Sequence, residues 1–288
     1  MAKDSVFSRS SLNGVRNYYD RIAGKYDLDY EEANWRLYDA LTWAYIEPFL
    51  PEDKNLPIVD AGGGTAKWAI KIAKLGYHVI CGDISTGMLD VAKQKIASEG
   101  LQDAIKLRIL DIRAMDSVPD ESTDLVLAVG DVISYAMDDD LAVGECFRVL
   151  RPGGRCIASV DNKFTYILNQ IHWNQFDRIQ SLLDTGISDF FRHHPVKTYF
   201  TSELHDLFTR HGFEVERLVG KPVLVQNASK KERRHKLEPN YELILKLELL
   251  LSSDPSLAGN GGHLQVIARK PVHRVQSMSD ALLKLTLT

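Results

Sequence analysis

The sequence predicts an α/β fold in which a mostly parallel sheet carries helices on both faces. Two observations lead there. From about Leu56 onward, short apolar runs alternate with helical patterns through five strand-helix units. Hydrophobic residues make up 44% of the 288 residues and charged residues 26%, which leaves ample material for a core and points to neither a disordered nor a fibrous chain.

The elements follow in order. Residues 14–50 read as helix, rich in aromatics (Tyr18, Tyr19, Tyr26, Tyr30, Trp35, Tyr38, Trp43, Tyr45) and without a strand pattern. LPIVD, ending at Asp60, is a short strand followed by the glycine turn Gly62, Gly63, Gly64. A helix from about Thr65 to Leu75 has Trp68, Ile72 and Leu75 on one face and lysines on the other, and Gly76 ends it. YHVICGD leads to Ser85, an N-cap for a helix from Thr86 that stops at Gly100. IKLRILD and TDLVLAV are the third and fourth strands. A helix over 139–150 and the Arg151-Pro152-Gly153-Gly154 turn deliver the chain into a fifth, Arg155 to Asp161. An insertion of helical character follows, then a capped helix from Thr201 to His211 and two closing strands, 213–225 and 263–270, around a helix at Tyr241. The expected organisation is a helical lid over 1–50, a main domain over 51–270 with a cap insertion at 163–200 and a helical insertion at 228–258, and a tail over 271–288.

Composition narrows the partners. The net charge of -4 provides no overall cationic field for nucleic acid or an anionic membrane. Cys81, Cys146 and Cys156 are few and widely spaced, as free buried thiols would be, and no metal-ligand spacing is visible, so no metal is expected. MAKDSVFSRSSLNG has no apolar signal region, and Tyr241–Leu251, interrupted by charges, is too short for a membrane span. The expectation is a cytoplasmic protein.

In an open parallel sheet, ligands bind beyond the carboxyl ends of the strands. Those ends supply a series here: Asp60 with the glycine turn, Asp83, Asp111, and Gly130-Asp131. Each suits a nucleoside. The glycines let backbone N–H groups approach an anionic group. Asp83, on the second strand end, is placed to accept from ribose hydroxyls, and Asp111 from an exocyclic amine of adenine. Ile84, Met88 and Ile112 can sandwich a flat base. A dinucleotide cofactor is the weaker match, because Lys67 stands where the third glycine of its fingerprint belongs.

VDAGGGTAKWAIKIAKLGYHVICGDISTGML, LRILDI, and DLVLAVGDVISY followed by ECFRVLRPGG resemble the motifs of the class I S-adenosylmethionine-dependent methyltransferases, of the small-molecule kind. Ala66 departs from the family pattern where many members carry glycine. The resemblance implies a Rossmann-like, doubly wound seven-stranded sheet with an antiparallel last strand. It implies S-adenosylmethionine as cofactor, with S-adenosylhomocysteine as product. Asp60, Ala61, Gly62 and Gly64 would hold the methionine end, Asp83 the ribose, Asp111 and Ile112 the adenine, and the carbonyl near Val129 or Gly130 the amino group. YYDRIAGKYD looks like the family's lid, so Tyr19 or Tyr26 would reach the cofactor.

The implied function is methyl transfer to an O, N or C nucleophile of a small molecule enclosed by lid and cap. His194 and Tyr199, which precede the capped helix, are the leading catalytic candidates. His172, His193, His263, Asp131 and Asp161 follow. No N/D-P-P-Y/W motif of base-amine methylation occurs after the fourth strand, and no nucleic-acid or membrane partner is expected; a homodimer is compatible with the sequence. The basic run KKERRHK reads as a solvated loop or as an anion or RNA contact. Alternatives are a noncatalytic cofactor-binding or scaffold protein, an RNA methyltransferase and an NAD-dependent oxidoreductase.

Overall fold

The computed structural model describes residues 9–190, 194–226 and 229–272. Among the described residues nine strands are formed: β1 (Ile58–Ala61), β2 (Val79–Asp83), β3 (Ile105–Ile109), β4 (Thr123–Ala128), β5 (Leu150–Asn162), β6 (Ile187–Phe190), β7 (His194–Tyr199), β8 (Glu214–Lys221) and β9 (His263–Arg269). Seven make the main sheet in the order β3-β2-β1-β4-β5-β9-β8. All neighbours are parallel except at β9, which runs antiparallel to both β5 and β8. Strand order reverses between β1 and β4, which opens a crevice at their carboxyl ends.

Both faces of the sheet are buried, and the side-chain period of two explains how. Val59, Val126, Ala128 and Ala158 join a core with Val143, Leu204 and Phe208 of the helices Asp139–Val149 and Thr201–Arg210. Their neighbours Ile58, Leu125, Leu127 and Ile157 face the opposite way. There they join Ala69 and Ile72 of the helix Lys67–Ala73 and Ala92 and Ile96 of the helix Thr86–Ser98. The predicted cap is present: Ser85 Oγ accepts from the Met88 N–H at 3.1 Å.

One expected element is different. The seven-stranded expectation gains two strands, because the cap insertion is not helical throughout. After the helices Lys163–His172 and Asp177–Thr185, Gly186 turns the chain in a left-handed conformation, and β6 and β7 form an antiparallel hairpin. β7 then pairs with Asp161 and Asn162 of β5, on the edge that β4 leaves after its last pairing at Ala158. Val196 and Thr198 point inward from β7 and are fully buried. The lid resolves into the helices Arg9–Ile22 and Ala33–Ala44. The C-terminal tail beyond residue 272, and His193, lie outside the described residues. Among the described residues, no helix is long and apolar enough to cross a membrane.

Candidate active site

The glycine turn between β1 and the Lys67–Ala73 helix is held by contacts that no larger residue would permit. A Cβ on Gly63 would lie 2.5 Å from Cys81 Sγ and 2.9 Å from Asp60 Oδ2, and one on Gly62 would collide with the Val132 side chain. Gly62 and Gly64 take positive φ values of 78° and 54°. Ala66 also takes a left-handed φ of 63°, just before the helix. Above Gly64 and Gly130 the space is open, with no atom within 4 Å of an added Cβ.

A cavity lies over this turn. It is lined by Tyr19 and Tyr26 of the lid, Gly62 and Gly64, Asp83, Ile84, Met88, Asp111, Ile112 and Gly130, so the strand ends and lid segment read from the sequence meet on one wall. Asp83 binds its own surroundings, accepting from the Gly64 N–H at 3.0 Å and the Ser85 N–H at 2.8 Å. Burial raises its pKa. Asp111 has a partner that the sequence reading missed: Arg113, two residues on, grips its carboxylate at 2.6 Å.

Asp60 and Ala61 do not reach the cavity wall. Asp60 is 1% exposed and lies beneath the turn; Oδ2 has no hydrogen-bond partner, and burial lifts the carboxyl from 3.8 to about 7. Asp60 is therefore a buried carboxyl under the turn and not part of the cavity wall. The lid is fastened by carboxylates that the sequence also left unmarked. Asp20 accepts from Ser85 Oγ at 2.6 Å and from the Gly87 N–H at 2.8 Å, at the start of the Thr86–Ser98 helix. Asp27 accepts from Thr65 Oγ1 at 2.7 Å and Lys95 Nζ at 2.8 Å.

A second cavity of about 680 Å³ adjoins the first, between lid and cap. Tyr19, Tyr26, Tyr30, Tyr38, Gly130 and Tyr135 line both. Beside this boundary, on the wall of the larger cavity, Asp131, held at a left-handed φ of 66°, places Oδ2 2.9 Å from His263 Nδ1, with Asp161 alongside. Burial would lower the His263 pKa, yet the charge and contact of Asp131, with Asp161, raise it above 6.5.

Of the catalytic candidates, His263, Asp131 and Asp161 line the larger cavity, whereas His194 and Tyr199 line neither. His194 is buried against the rings of Tyr18 and Tyr135, with centroids 5.4 and 5.3 Å away. Tyr199 sits in the core with its hydroxyl donating to Asp139 at 2.9 Å; burial, then the Asp139 charge, raises its pKa well above 10. That phenol stays protonated and turned away from the cavity. The β7 hairpin, absent from the helical reading of the cap, is what draws both residues inward.

Residues 58–154 match the family model described as a methyltransferase domain. The chain carries a class I S-adenosylmethionine-dependent methyltransferase domain. The methyltransferase is 26% identical over 260 residues to the tRNA 5-carboxymethoxyuridine methyltransferase of Escherichia coli, a match covering 88% of this chain and 96% of the other. It is 30% identical over 151 residues to a demethylmenaquinone methyltransferase of Bacteroides fragilis, covering 50% and 58%. Among solved structures, an S-adenosylmethionine-dependent methyltransferase of Thermotoga maritima shares the fold, with a TM-score of 0.56, 19% identity, and 88% and 99% coverage. The enzyme's cofactor is S-adenosylmethionine. The residues fit it: the turn offers close backbone approach, the two open glycine positions leave room, and Asp83 stands on the wall.

Proposed function

We propose that this methyltransferase acts on a small molecule that enters the larger cavity. The carrying observation is the boundary shared by the two cavities, where six residues wall both. On this reading Asp83 takes the ribose hydroxyls, Ile84, Met88 and Ile112 flank the adenine, and Asp111 lies at its amine edge. The backbone at Gly62, Gly64 and Gly130 receives the methionine end, while Tyr19 and Tyr26 close over it.

S-adenosylmethionine supplies a methyl already activated on a sulfonium. The protein's task is to align an acceptor lone pair with it and to keep water out, and such alignment supplies effective molarities of roughly 10⁵ to 10⁸ M. The rings of the shared boundary exclude water from the acceptor end. Asp131, Asp161 and His263 line the larger cavity beside that boundary and form the group through which a proton from an acceptor hydroxyl or amine would leave.

A second reading is carried by the Escherichia coli relative, whose match spans nearly the whole of both chains. The acceptor is then a tRNA nucleoside inserted into the same cavity. Incubating the enzyme with methyl-labelled S-adenosylmethionine and fractionated cell extract separates the two. Label in the small-molecule fraction is the expected result; label confined to tRNA overturns the small-molecule reading.

A further inference from the structure

Building on the small-molecule reading above, we infer that the acceptor is an amine, bound as its ammonium between Asp131 and Asp161 within a box of aromatic rings. Both carboxylates line the larger cavity and are more than nine-tenths buried, at 7% and 4% exposed. Each carboxylate is engaged in part, Asp161 with the hydroxyls of both Tyr166 and Tyr135 beside it. Asp131 Oδ2 contacts His263 Nδ1 at 2.9 Å, and Asp161 Oδ1 accepts from the Tyr166 hydroxyl at 3.1 Å. The other two, Asp131 Oδ1 and Asp161 Oδ2, are buried without a hydrogen-bond partner. A buried carboxylate oxygen left unpaired is costly, and a ligand with several N–H donors and a positive charge relieves both at once.

The surroundings select the kind of cation. Tyr38 and Trp35 stand 5.0 and 6.2 Å from the His263 ring, and Tyr19 packs 6.1 Å from Tyr135. Aromatic faces attract organic ammonium groups. The basic residues on the described wall are already committed to carboxylates, His263 to Asp131 at 2.9 Å and Arg178 facing Asp189 at 3.9 Å, so little is left for an anion. A carboxylate or phosphate acceptor would set like charge against Asp131 and Asp161. The donor atoms of Asp131, Asp161 and His263 lie within 4.8 Å of one another, so a divalent ion is the competing occupant. A calcium or magnesium ion would need about six or more oxygen ligands, and what surrounds the trio is rings.

For transfer, the ammonium gives one proton to the Asp161 carboxylate. Burial, then the charge of Asp131, raises the Asp161 pKa to about 7, which suits it to hold that proton. The freed nitrogen lone pair forms the N–C bond while the C–S bond of the donor breaks with its electron pair passing to sulfur. An N-methylammonium and the thioether result, and the carboxyl returns its proton to solvent.

Calorimetry on the full chain saturated with S-adenosylhomocysteine tests this with 2-phenylethylamine, 2-phenylethanol and 3-phenylpropionate. The amine should bind at least about ten-fold more tightly than the other two, as a charge-assisted hydrogen bond requires. Asp161→Asn, and separately Asp131→Asn, should each cost the amine about ten-fold while S-adenosylhomocysteine affinity, which reports folding, is kept. Equal binding of the carboxylate, or amine affinity unchanged in both variants, overturns the inference. So does Mn²⁺ alone binding at this trio and being lost in Asp161→Asn. Small-molecule labelling without any preference for amines defeats this inference alone, whereas label confined to tRNA defeats the reading beneath it.

Discussion

Asp60 and Asp161 are carboxyls whose pKa values stand at about 7 rather than 3.8, chiefly through burial. In the ligand-free folded protein each takes up its proton near neutral pH, where the unfolded chain has already released it, and a bound ammonium would hold Asp161 in its ionised form. Their contribution to stability is therefore full below about pH 4 and is lost as pH rises through about 7. Thermal melts of the ligand-free enzyme should fall across that window, and Asp60→Asn should flatten the fall; an unchanged slope would show that Asp60 is not buried uncompensated. Gly63 is the tightest point beside it. Gly63→Ala forces a methyl against Asp60 and Cys81, so S-adenosylhomocysteine binding should drop by more than about ten-fold with roughly 1–3 kcal/mol lost in stability, read by calorimetry and denaturant titration. Asp83→Ala should likewise abolish cofactor binding, since the change removes both a ligand acceptor and the partner of Gly64. Near-normal affinity would remove Asp83 from the ribose site.

The lid helix Arg9–Ile22 and the segment after it are tied to the cofactor half by Asp20 and Asp27. These are partly exposed contacts of modest strength, of order 1 kcal/mol each, which is the range that lets a lid open without unfolding the domain. Asp20→Ala combined with Asp27→Ala should raise amide exchange across Arg9–Ile22 and weaken S-adenosylhomocysteine binding, while exchange in β1, β4 and β5 stays slow. Exchange unchanged in the lid helix would mean that ring packing, not these carboxylates, holds it. The same contacts show where reading the sequence stops. The strands, the glycine turn, the Ser85 cap and the strand-end aspartates were legible because each depends on neighbours a few residues away. Asp27 meeting Lys95, or Asp131 meeting His263, depends on pairing between distant positions that no local pattern encodes. The β6–β7 hairpin was missed for a related reason. The strands Ile187–Phe190 and His194–Tyr199 have little to pack against until β5 outruns β4 and exposes an edge at Asp161.

Across the whole molecule, β9 connects the parts. It pairs with β5 along the sheet and brings His263 to the wall of the larger cavity, while the turn before it packs glycine on glycine: a Cβ on Gly261 would lie 2.5 Å from the Gly220 Cα. Gly261→Ala should therefore loosen the closing strands and lower stability by about 1–3 kcal/mol, with a matching loss of amine affinity through His263, checked by thermal melts and calorimetry together. The wall shared by the cavities has a further consequence, one of timing. Tyr19, Tyr26 and Tyr30 close over the donor and also complete the surface on which the acceptor rests. Turnover should then be strictly ordered, with the donor loading first and its thioether leaving last. Initial-rate measurements should find S-adenosylhomocysteine competitive with S-adenosylmethionine and noncompetitive with the acceptor, and a random-order pattern would show that the two pockets fill independently.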